Sequence, residues 1–461
     1  MAGNKYDVIV VGAGPAGIFA CMEMVRLNPK LKIVLMDMGN RVEDRKSTDV
    51  MSGFGGAGTY SDGKLQFTPK LSHERTFHLI SPGDYQKILD EIDEIFTLFG
   101  VKAAEYPKNR EETAKLVEEA ELKGIELIVR RAKHVGTNNL HRVITRFQKY
   151  LEDKQIKLVM RTRVADILEK DGKAAGVTDD NGHTFMADKI LMAPGRISAK
   201  WLQEIAGKHG IKYQYDMVEV GVRVEFLESV MKRYAEALYE IVLKIRTPTF
   251  DDMMRTFCSC PNGYVALEQY QGYVCVNGHS YSDHQSKNSN FAFVCEVHLT
   301  EPVENSIAYA ESIARLASTI GGGKPILQRL ADLKKARRST WTRLKNSMVV
   351  PSLTDVTPGD ISMALPHRLV TDILEGLEKL DEVMPGVNNG STLLYTPEVK
   401  FRSSKVTTTK DMQTTLPGVY VAGDAAGLSG TITGAAATGI MAARGIISGL
   451  SAGRQVVITA E

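Results

Sequence analysis

The order of apolar and polar residues predicts alternating strands and helices at the start of the chain. Residues 7–11, DVIVV, form a short apolar and mostly β-branched run, which is typical of a buried parallel strand. A helical pattern follows through Met24 and Leu27, and a second apolar run, LKIVLMDMG, predicts another strand. This succession predicts an α/β fold with a central parallel sheet.

Two later regions have different patterns. Residues 80–133 are charged and carry apolar positions at helical spacing, which predicts a peripheral helical insertion. Residues 216–384 begin with strand patterns such as VEVGVRVEF and end with helical patterns such as HRLVTDILEGLEKL. They therefore predict a second domain of α+β type.

The composition is that of an ordinary soluble globular protein. Of 461 residues, 43% are hydrophobic and 24% are charged, and the net charge of +2 gives no reason to expect nucleic acid or a membrane as partner. The start, MAGNK, shows no secretory leader, and the apolar run near the end is interrupted by glycine and carries Arg444. Five cysteines are too few for a disulfide framework, so we expect reduced thiols and a cytoplasmic location.

A glycine pattern, GAGPAG at 12–17, joins the first predicted strand to the first helix. Gly12 allows a tight turn, Gly14 lets backbone approach a pyrophosphate, and Gly17 lets helix pack on strand. An acid is expected at the end of the second strand to accept ribose hydroxyls, and Asp37 stands there, 20 residues after Gly17. The pattern alone fits either a nicotinamide or a flavin dinucleotide. The predicted contacts are Gly12, Gly14, Pro15, Ala16, Gly17 and Asp37.

Near the C-terminus, the segment PGVYVAGD at 417–424 predicts a turn, a short strand and a glycine-rich turn into a helix. It resembles the second flavin fingerprint of the glutathione-reductase-like flavoproteins, in which the Asp binds the ribityl chain. The N–H groups of the following helix would face the pyrimidine edge of the flavin and stabilise the anion that forms there on reduction. The contacts that this resemblance implies are Gly423, Asp424, Thr433, Gly434 and Ala435.

A third segment, ADKILMAPGR at 187–196, predicts a strand that ends at Ala193-Pro194-Gly195. It resembles the ATG segment of the same superfamily, with Pro in place of Thr, and it implies that Ala193 and Gly195 lie beside the cofactor. In this superfamily the residue at the position of Val164 offers its backbone to adenine. The three motifs together imply that the bound nucleotide is FAD.

The loop MSGFGGAGTYSDGKL at 51–65 has backbone free enough to wrap the pyrophosphate and pass the flavin ring. The predicted contacts are Gly55, Gly56, Ala57 and Gly58, with Ser61, Asp62 and Lys64 as the first polar side chains near the ring. The loop resembles a family of uncharacterised FAD-dependent dehydrogenases from bacteria and archaea. That resemblance covers nearly the whole chain, through segments such as RTFCSCPNGYV and PEVKFRSSKV.

These observations predict a Rossmann-like FAD-binding domain with an inserted α+β cap domain and a helical insertion. The predicted FAD-binding domain is discontinuous, over residues 1–75, 140–215 and 385–461. The helical insertion covers residues 76–139, and the substrate or cap domain covers residues 216–384.

The predicted catalytic residues are Lys64, His279 and Glu398, and the alternative for His279 is a structural hydrogen bond. Alternation along a strand would place Cys258 and Cys260 on one face. Three roles fit this pair: buried small residues, a redox dithiol or metal ligands. Arg255 fits either a carboxylate clamp or a salt bridge. Arg402, like Glu398, is a candidate for contact with the flavin ring or the substrate. We predict no metal site, because the spacing of Cys275 and His279 matches no known ligand pattern.

The predicted function is hydride transfer between flavin N5 and a small organic substrate. No second GxGxxG follows a strand, so we predict no dedicated site for NAD(P)H, which either uses the same ring face transiently or takes no part in the cycle. In the second case, we expect electrons to come from the substrate or from a partner carrier. One alternative is an FAD-linked reductase of a C=C bond that uses NAD(P)H. Another is an RNA-modification or RNA-binding flavoprotein, suggested by the basic run LKKARRSTWTRLK at 333–345. The sequence does not indicate the oligomeric state.

Overall fold

The structure is a computed structural model, and it forms two compact units. It describes residues 5–46, 49, 51–60, 63–71, 73–270, 272–280, 284–299, 305–400 and 404–454. The first unit comprises Met1–Glu105, Arg130–Asp216 and Ser403–Glu461, and the second comprises Tyr106–Val129 and Met217–Arg402.

The helices and strands of the described residues follow in chain order. The α-helices are α1 Pro15–Leu27, α2 Pro82–Leu98, α3 Arg110–Leu122, α4 Thr137–Asp153, α5 Ala199–Lys208, α6 Lys232–Ala237, α7 Ser306–Ile320, α8 Leu330–Leu333, α9 Trp341–Lys345, α10 His367–Asp381 and α11 Ile432–Arg454. The strands are β1 Val8–Val11, β2 Ile33–Met36, β3 Lys64–Gln66, β4 Glu105–Tyr106, β5 Glu126–Leu127, β6 Ala132–His134, β7 Lys157–Val159, β8 Val164–Lys170, β9 Lys173–Asp179, β10 Thr184–Met186, β11 Ile190–Met192, β12 Tyr213–Gln214, β13 Val218–Leu227, β14 Leu243–Arg246, β15 Met253–Cys260, β16 Tyr264–Tyr270, β17 Tyr273–His279, β18 Asn288–Val297, β19 Ile326–Arg329, β20 Thr357–Pro358, β21 Leu393–Lys400, β22 Lys405–Val406 and β23 Val419–Val421.

The first unit is built on a parallel sheet of strand order β23-β11-β1-β2-β7. Every residue of β1, β2, β11 and β23 is buried, as expected for parallel strands covered on both faces. The register pairs Ile9 with both Val34 and Ile190, and it pairs Leu191 with Tyr420. The predicted α/β class with a central parallel sheet is confirmed.

The second unit is built on a mixed sheet of strand order β20-β19-β21-β13-β18-β15-β14-β5. β13 is its long central strand and is buried except at its last residue, Leu227. Apolar residues of α7 and α10, such as Ile313, Ile373 and Leu377, share one hydrophobic core with β13 and β18. A hairpin of β16 and β17 completes this sheet-rich unit, in agreement with the predicted α+β cap.

The predicted division differs from the two units at two places. Residues 385–402 were assigned to the cofactor domain, but β21 hydrogen-bonds to β13 and β19 within the sheet of the second unit. The predicted insertion, 76–139, is divided. α2 buries Ile88 and Ile92 in the core of the first unit, whereas α3 buries Leu116 in the core of the second.

Candidate cofactor site

The turn between β1 and α1 can be formed only by glycine at two positions. Gly12 has a φ of +106°, and a Cβ there would lie 2.0 Å from the carbonyl oxygen of Ala193. A Cβ on Gly17 would lie 1.9 Å from the carbonyl oxygen of Gly12. By contrast, a Cβ on Gly14 would meet nothing within 4 Å, so the backbone at Gly14 faces open space. The sequence therefore fixes a tight turn and leaves room where a pyrophosphate would lie.

The first turn of α1 suits an anion. The helix begins at Pro15, and its N-cap residue is Gly14, which has no side chain to accept a hydrogen bond from the first N–H groups. The first turn contains no acidic residue. These N–H groups and the positive end of the helix dipole are thus available to phosphate oxygens.

Asp37 follows β2 and organises the backbone around this turn. Its Oδ2 accepts a hydrogen bond from the N–H of Ala13 at 2.9 Å. Its Oδ1 accepts from the N–H groups of Gly39 and Gly53, both at 2.8 Å. Each carboxylate oxygen has further lone pairs, so the acceptor role toward ribose hydroxyls is compatible with these bonds and stays a prediction.

The glycine-rich loop lies against the first motif. The N–H of Gly55 donates to the carbonyl of Ala13 at 2.8 Å. A Cβ on Gly56 would lie 3.1 Å from the Cα of Gly14. Ala57 is exposed, and Gly58 is buried beside Pro15. The structure thus brings Gly55, Gly56, Ala57 and Gly58 to the start of α1, whereas Ser61 and Asp62 lie outside the described residues.

Arg45 holds this loop in place, and the sequence analysis missed it. Its guanidinium is buried and donates to the carbonyls of Phe54 at 2.7 Å and Gly56 at 2.9 Å. It also donates to Thr59 Oγ1 at 2.8 Å and to the carbonyl of Asp49 at 2.5 Å. Arg45 stands in the charged stretch RVEDRK, in which nothing distinguishes it from exposed neighbours.

A groove runs along the carboxyl ends of β1 and β2. It contains three predicted contact residues, Gly12, Asp37 and Val164, so the structure brings these together. The groove residues that the sequence analysis did not predict include Met38, Thr162, Arg163, Ile197 and Trp201. Trp201 is an aromatic side chain of the kind on which an adenine ring can stack. A single Trp in a helical pattern does not indicate a nucleotide site, so the sequence could not predict it.

The C-terminal motif lies beside the N-terminal one. The N–H of Ala193 donates to the carbonyl of Val11 at 2.7 Å, and Gly195 has a φ of +73°. A Cβ on Gly423 would lie 3.2 Å from the Cβ of Ala16. The two glycine motifs, some 400 residues apart in the chain, therefore meet at the same edge of the sheet.

Asp424 is half-buried, and its carboxylate already has two partners. Arg196 Nη2 donates to its Oδ2 at 3.0 Å, and the Ser429 hydroxyl donates to its Oδ1. Neither partner was predicted. Arg196 follows Gly195 and reaches Asp424 across the end of the sheet, so a ribityl hydroxyl would share this carboxylate with it.

The N-terminus of α11 is capped by Thr431, whose hydroxyl accepts from the N–H of Gly434 at 2.9 Å. Thr433 is fully buried, and its hydroxyl donates to the carbonyl of Gln66 at 2.6 Å. Ala435 is buried and donates its N–H to the Thr431 carbonyl at 2.9 Å. The hydroxyl of Thr433 is therefore occupied inside the protein, and a contact with the flavin would have to come from backbone.

His73 lies behind this helix terminus and was not predicted. Its Nδ1 lies 3.0 Å from the Tyr85 hydroxyl, and its Nε2 lies 3.4 Å from Thr431 Oγ1. Burial, together with the positive charge of Arg130, lowers the pKa of His73 to about 3, so its ring is neutral. It belongs to the hydrogen-bonded support of the helix terminus.

The predicted catalytic residues occupy different settings. Lys64 is half-buried at the start of β3, where it pairs with His134. His279 is exposed at the end of β17 and pairs with Tyr264. Glu398 is fully buried in β21, with its Oε1 at 2.6 Å from Lys400 Nζ. Their catalytic roles stay predictions, and Arg402 lies outside the described residues.

In the second unit, the structure decides between two alternatives for Arg255 and corrects the expected alternation of Cys258 and Cys260. Arg255 is buried and binds Glu219 through two hydrogen bonds, of 2.5 and 2.7 Å, so the structure favours the salt bridge over the clamp. Cys258 and Cys260 do not alternate regularly, because a β-bulge lies between Phe257 and Cys260. Cys258 is half-buried, Cys260 is buried, and neither forms a disulfide with another described cysteine.

The basic run at 333–345 is partly neutralised. Asp332 accepts from Arg337 Nε at 2.9 Å and from Arg329 Nε at 3.1 Å. Within the described part of the chain, no helix has the length and apolar character needed to cross a bilayer.

Two family models match the chain. The FAD binding domain model matches residues 7–214. The model for the C-terminal domain-like region of FAD-dependent proteins matches residues 218–401. No curated protein matches the chain.

Solved structures give more distant likenesses. The 3-ketosteroid-Δ4-(5α)-dehydrogenase of Rhodococcus jostii is 12% identical, with a TM-score of 0.45 and 96% of each chain covered. The quinol fumarate reductase subunit of E. coli is 13% identical, with a TM-score of 0.43, and the match covers 98% of this chain and 72% of that one. The geranylgeranyl bacteriochlorophyll reductase-like protein of Thermoplasma acidophilum is 13% identical, with a TM-score of 0.39, and the match covers 98% of this chain and 80% of that one.

The more specific placement among glutathione-reductase-like proteins stays a prediction. The two domain matches, over 7–214 and 218–401, identify the chain as an FAD-dependent oxidoreductase.

Proposed function

We propose that this oxidoreductase transfers a hydride between N5 of bound FAD and a small organic substrate. The observation that carries the proposal is the meeting of Gly12, Asp37 and the Gly423-Asp424 turn at one edge of a parallel sheet. A dinucleotide lying along this edge would reach both motifs.

The residues present fit FAD along its whole length. The uncapped N–H groups of α1 would hold the pyrophosphate, and Asp37 would accept from the ribose of the adenosine. The backbone at Val164 would face adenine, and the loop at 55–58 would cover the pyrophosphate. Asp424 would accept from the ribityl chain, which would compete with Arg196 for the same carboxylate.

Bound FAD supplies the hydride chemistry, and the protein supplies orientation and charge. The N–H groups at the start of α11, positioned by Thr431, would stabilise negative charge at the pyrimidine edge. A neutral His73 behind this terminus adds no positive charge of its own to the field of the helix terminus.

The test is direct reduction of the flavin. The purified protein, loaded with FAD under anaerobic conditions, is mixed with fractions of small metabolites while the visible absorbance of oxidised flavin is followed. We expect one fraction to bleach it at a rate that saturates with concentration. Stable FAD binding without bleaching by any fraction or by NAD(P)H would contradict the proposal.

Two measurements separate the alternatives predicted from the sequence. In a C=C reductase, NAD(P)H would bleach the flavin and an unsaturated acceptor would restore its absorbance. An RNA-binding flavoprotein would bind total tRNA in a salt-sensitive manner, whatever the state of the flavin.

A further inference from the structure

The second unit buries a group of charged side chains in the middle of its sheet. Arg223 lies on β13, and Glu398 and Lys400 lie on the neighbouring strand β21. Arg223 and Glu398 are fully buried, and 18% of the Lys400 side chain is exposed. Removing charged groups from water costs several kcal/mol per ion unless partners compensate, so such a cluster calls for an explanation beyond stability.

The hydrogen bonds of Arg223 leave one of its nitrogens without a partner. Nε donates to Asn290 Oδ1 at 2.8 Å, and Nη2 donates to the Cys258 carbonyl at 2.7 Å and contacts Cys260 Sγ at 3.3 Å. Nη1 has no hydrogen-bond partner among the described residues and lies 3.9 Å from Glu398 Oε1. A buried guanidinium nitrogen without a partner is rare in folded proteins.

Glu398 is incomplete in the same way. Lys400 Nζ lies 2.6 Å from its Oε1, whereas its Oε2 has no hydrogen-bond partner within the described part of the chain. The unsatisfied buried atoms of the cluster thus include a donor, Arg223 Nη1, and an acceptor, Glu398 Oε2. A ligand that offers an acceptor to Arg223 and a donor to Glu398 would satisfy both.

The backbone next to the cluster is shaped to fit around Arg223. The β-bulge in β15 gives Cys258 a φ of +46° and turns its carbonyl onto Arg223. A Cβ on Gly278 would lie 1.5 Å from Arg223 Nη2, so only glycine leaves room for the guanidinium. The half-buried thiol of Cys258 lies 3.8 Å from Asn277 Oδ1, at the side where the cluster reaches the surface.

The cluster holds two cationic side chains, Arg223 and Lys400, and one fully buried carboxylate, Glu398. Burial opposes ionisation of Lys400, but the nearby carboxylates of Glu398 and Glu268 help to raise the pKa of Lys400 above its ordinary value. Burial raises the pKa of Glu398, and Lys400 and Arg223 oppose that rise. Glu268 is half-exposed and reaches the cluster through Asn277, whose Nδ2 donates to it at 3.4 Å. It therefore adds a second carboxylate at the half-exposed side of the cluster.

We propose that Arg223, Glu398, Lys400 and Cys258 form a binding site for a small carboxylate that carries a neighbouring hydroxyl or amino group. The carboxylate pairs with Arg223 Nη1 and the Lys400 ammonium, and the neighbouring group donates a hydrogen bond to Glu398 Oε2. The half-buried Cys258 lies beside these groups. As a statement about the substrate of the enzyme, this inference rests on the proposed function, but as a binding site it is tested without turnover.

Cys258 provides a built-in reporter for the test. The other four cysteines, Cys21, Cys260, Cys275 and Cys295, are at most 3% exposed. Purified protein is alkylated with iodoacetate or iodoacetamide, and mass spectrometry measures the rate at each cysteine. A cationic site should raise the ratio of the iodoacetate rate to the iodoacetamide rate at Cys258 about tenfold above that of N-acetylcysteine.

Variants and competing ligands sharpen the result. Lys400→Gln should lower the ratio about fivefold, Lys400→Arg should retain it, and the exposed control Lys335→Gln should leave it unchanged. In the unaltered protein, lactate should slow the labelling more strongly than propionate, and lactamide should not slow it. Alanine in place of lactate tells whether the neighbouring group is amino or hydroxyl.

Three outcomes would overturn the site: no labelling of Cys258, a ratio equal to that of N-acetylcysteine, or equal protection by lactate and lactamide. None of these outcomes depends on flavin chemistry. Failure of the site with successful bleaching by another metabolite class would leave the proposed function intact, and the reverse result would leave the binding site intact.

Discussion

The two units handle buried polar groups in opposite ways. In the first unit, the candidate nucleotide site is formed mainly by backbone, through the turn at Gly12, the N–H groups of α1 and the loop at 55–58. In the second unit, the central polar features are side chains, such as the Arg255–Glu219 pair and the cluster around Arg223. Backbone donors suit a ligand that many proteins share, whereas buried side chains allow each protein its own ligand.

The largest expected effect tests the backbone side of this comparison. Gly12→Ala places a Cβ 2.0 Å from the Ala193 carbonyl oxygen at a φ of +106°. We expect a loss of about 4 kcal/mol in the free energy of unfolding, with loss of bound FAD, because steric overlap and backbone strain add. Thermal unfolding and flavin absorbance measure the two effects.

Gly14→Ala is the matched control, since a Cβ there meets only open space. It should unfold at nearly the wild-type temperature and bind FAD more weakly. If Gly12→Ala were as stable as Gly14→Ala, the turn would not require glycine.

A second prediction concerns the side chain that supports the backbone site. Arg45→Met removes the donors to the carbonyls of Phe54 and Gly56 and to Thr59. Because these acceptors are buried, we expect a loss of about 3 kcal/mol and faster release of FAD. The control Arg246→Met removes an exposed ion pair with Asp251 and should change stability by less than about 1 kcal/mol. Equal effects of the two substitutions would show that the loop does not depend on Arg45.

The third prediction concerns a buried acid of the second unit. Burial, with the nearby charge of Asp252, raises the pKa of Asp372 to about 6. The ordinary pKa of Asp is lower, so the stabilising form is the protonated one. It is fully present below about pH 4, and its contribution is lost as the pH rises through about 6.

Asp372→Asn should therefore be more stable than the wild type at pH 7.5, by up to about 2 kcal/mol, and its stability should vary less between pH 4 and 7. The amide keeps an oxygen for the Thr247 hydroxyl, which donates to Asp372 Oδ1 at 2.7 Å. Denaturant unfolding at several pH values measures this difference. An unchanged pH profile would mean that the pKa of Asp372 is the same in the folded and unfolded states.

The smallest expected effect concerns the cap of α11. Thr431→Ala removes the hydroxyl that accepts from the N–H of Gly434, and we expect a loss of about 1 kcal/mol. Thr431→Ser keeps the acceptor and should restore the stability. The flavin reduction potential should follow the same order, because the cap positions the N–H groups of the helix terminus. A potential that is equal in all three proteins would argue against that position for the flavin.

The backbone site could be predicted from the sequence because its requirements are local. Glycine at 12, 14 and 17 and an acid after the second strand form one continuous βαβ segment, and their spacing follows from its geometry. The same reasoning gave the central parallel sheet, since β1, β2, β11 and β23 are short apolar runs before glycine-rich turns.

The side-chain features could not be predicted, because their partners are distant in the chain. Arg255 pairs with Glu219, and Arg223 with Asn290 and Glu398, only after antiparallel strands have found their register. No glycine in the sequence marks the bulge at Cys258, so the expected regular alternation of side chains along β15 was wrong. The boundary at 385 failed for a related reason, because β21 joins the sheet between β13 and β19.

The position of β23 has a consequence for synthesis on the ribosome. The strands β2, β1 and β11 are complete once the first 192 residues have emerged, but β11 must wait for β23, Val419–Val421, before its open side is paired. The second unit is translated almost entirely during that interval. The part of the candidate site that would hold the flavin end of the cofactor, at Gly423 and Asp424, therefore forms last, so we expect a nascent chain to bind the adenosine end first.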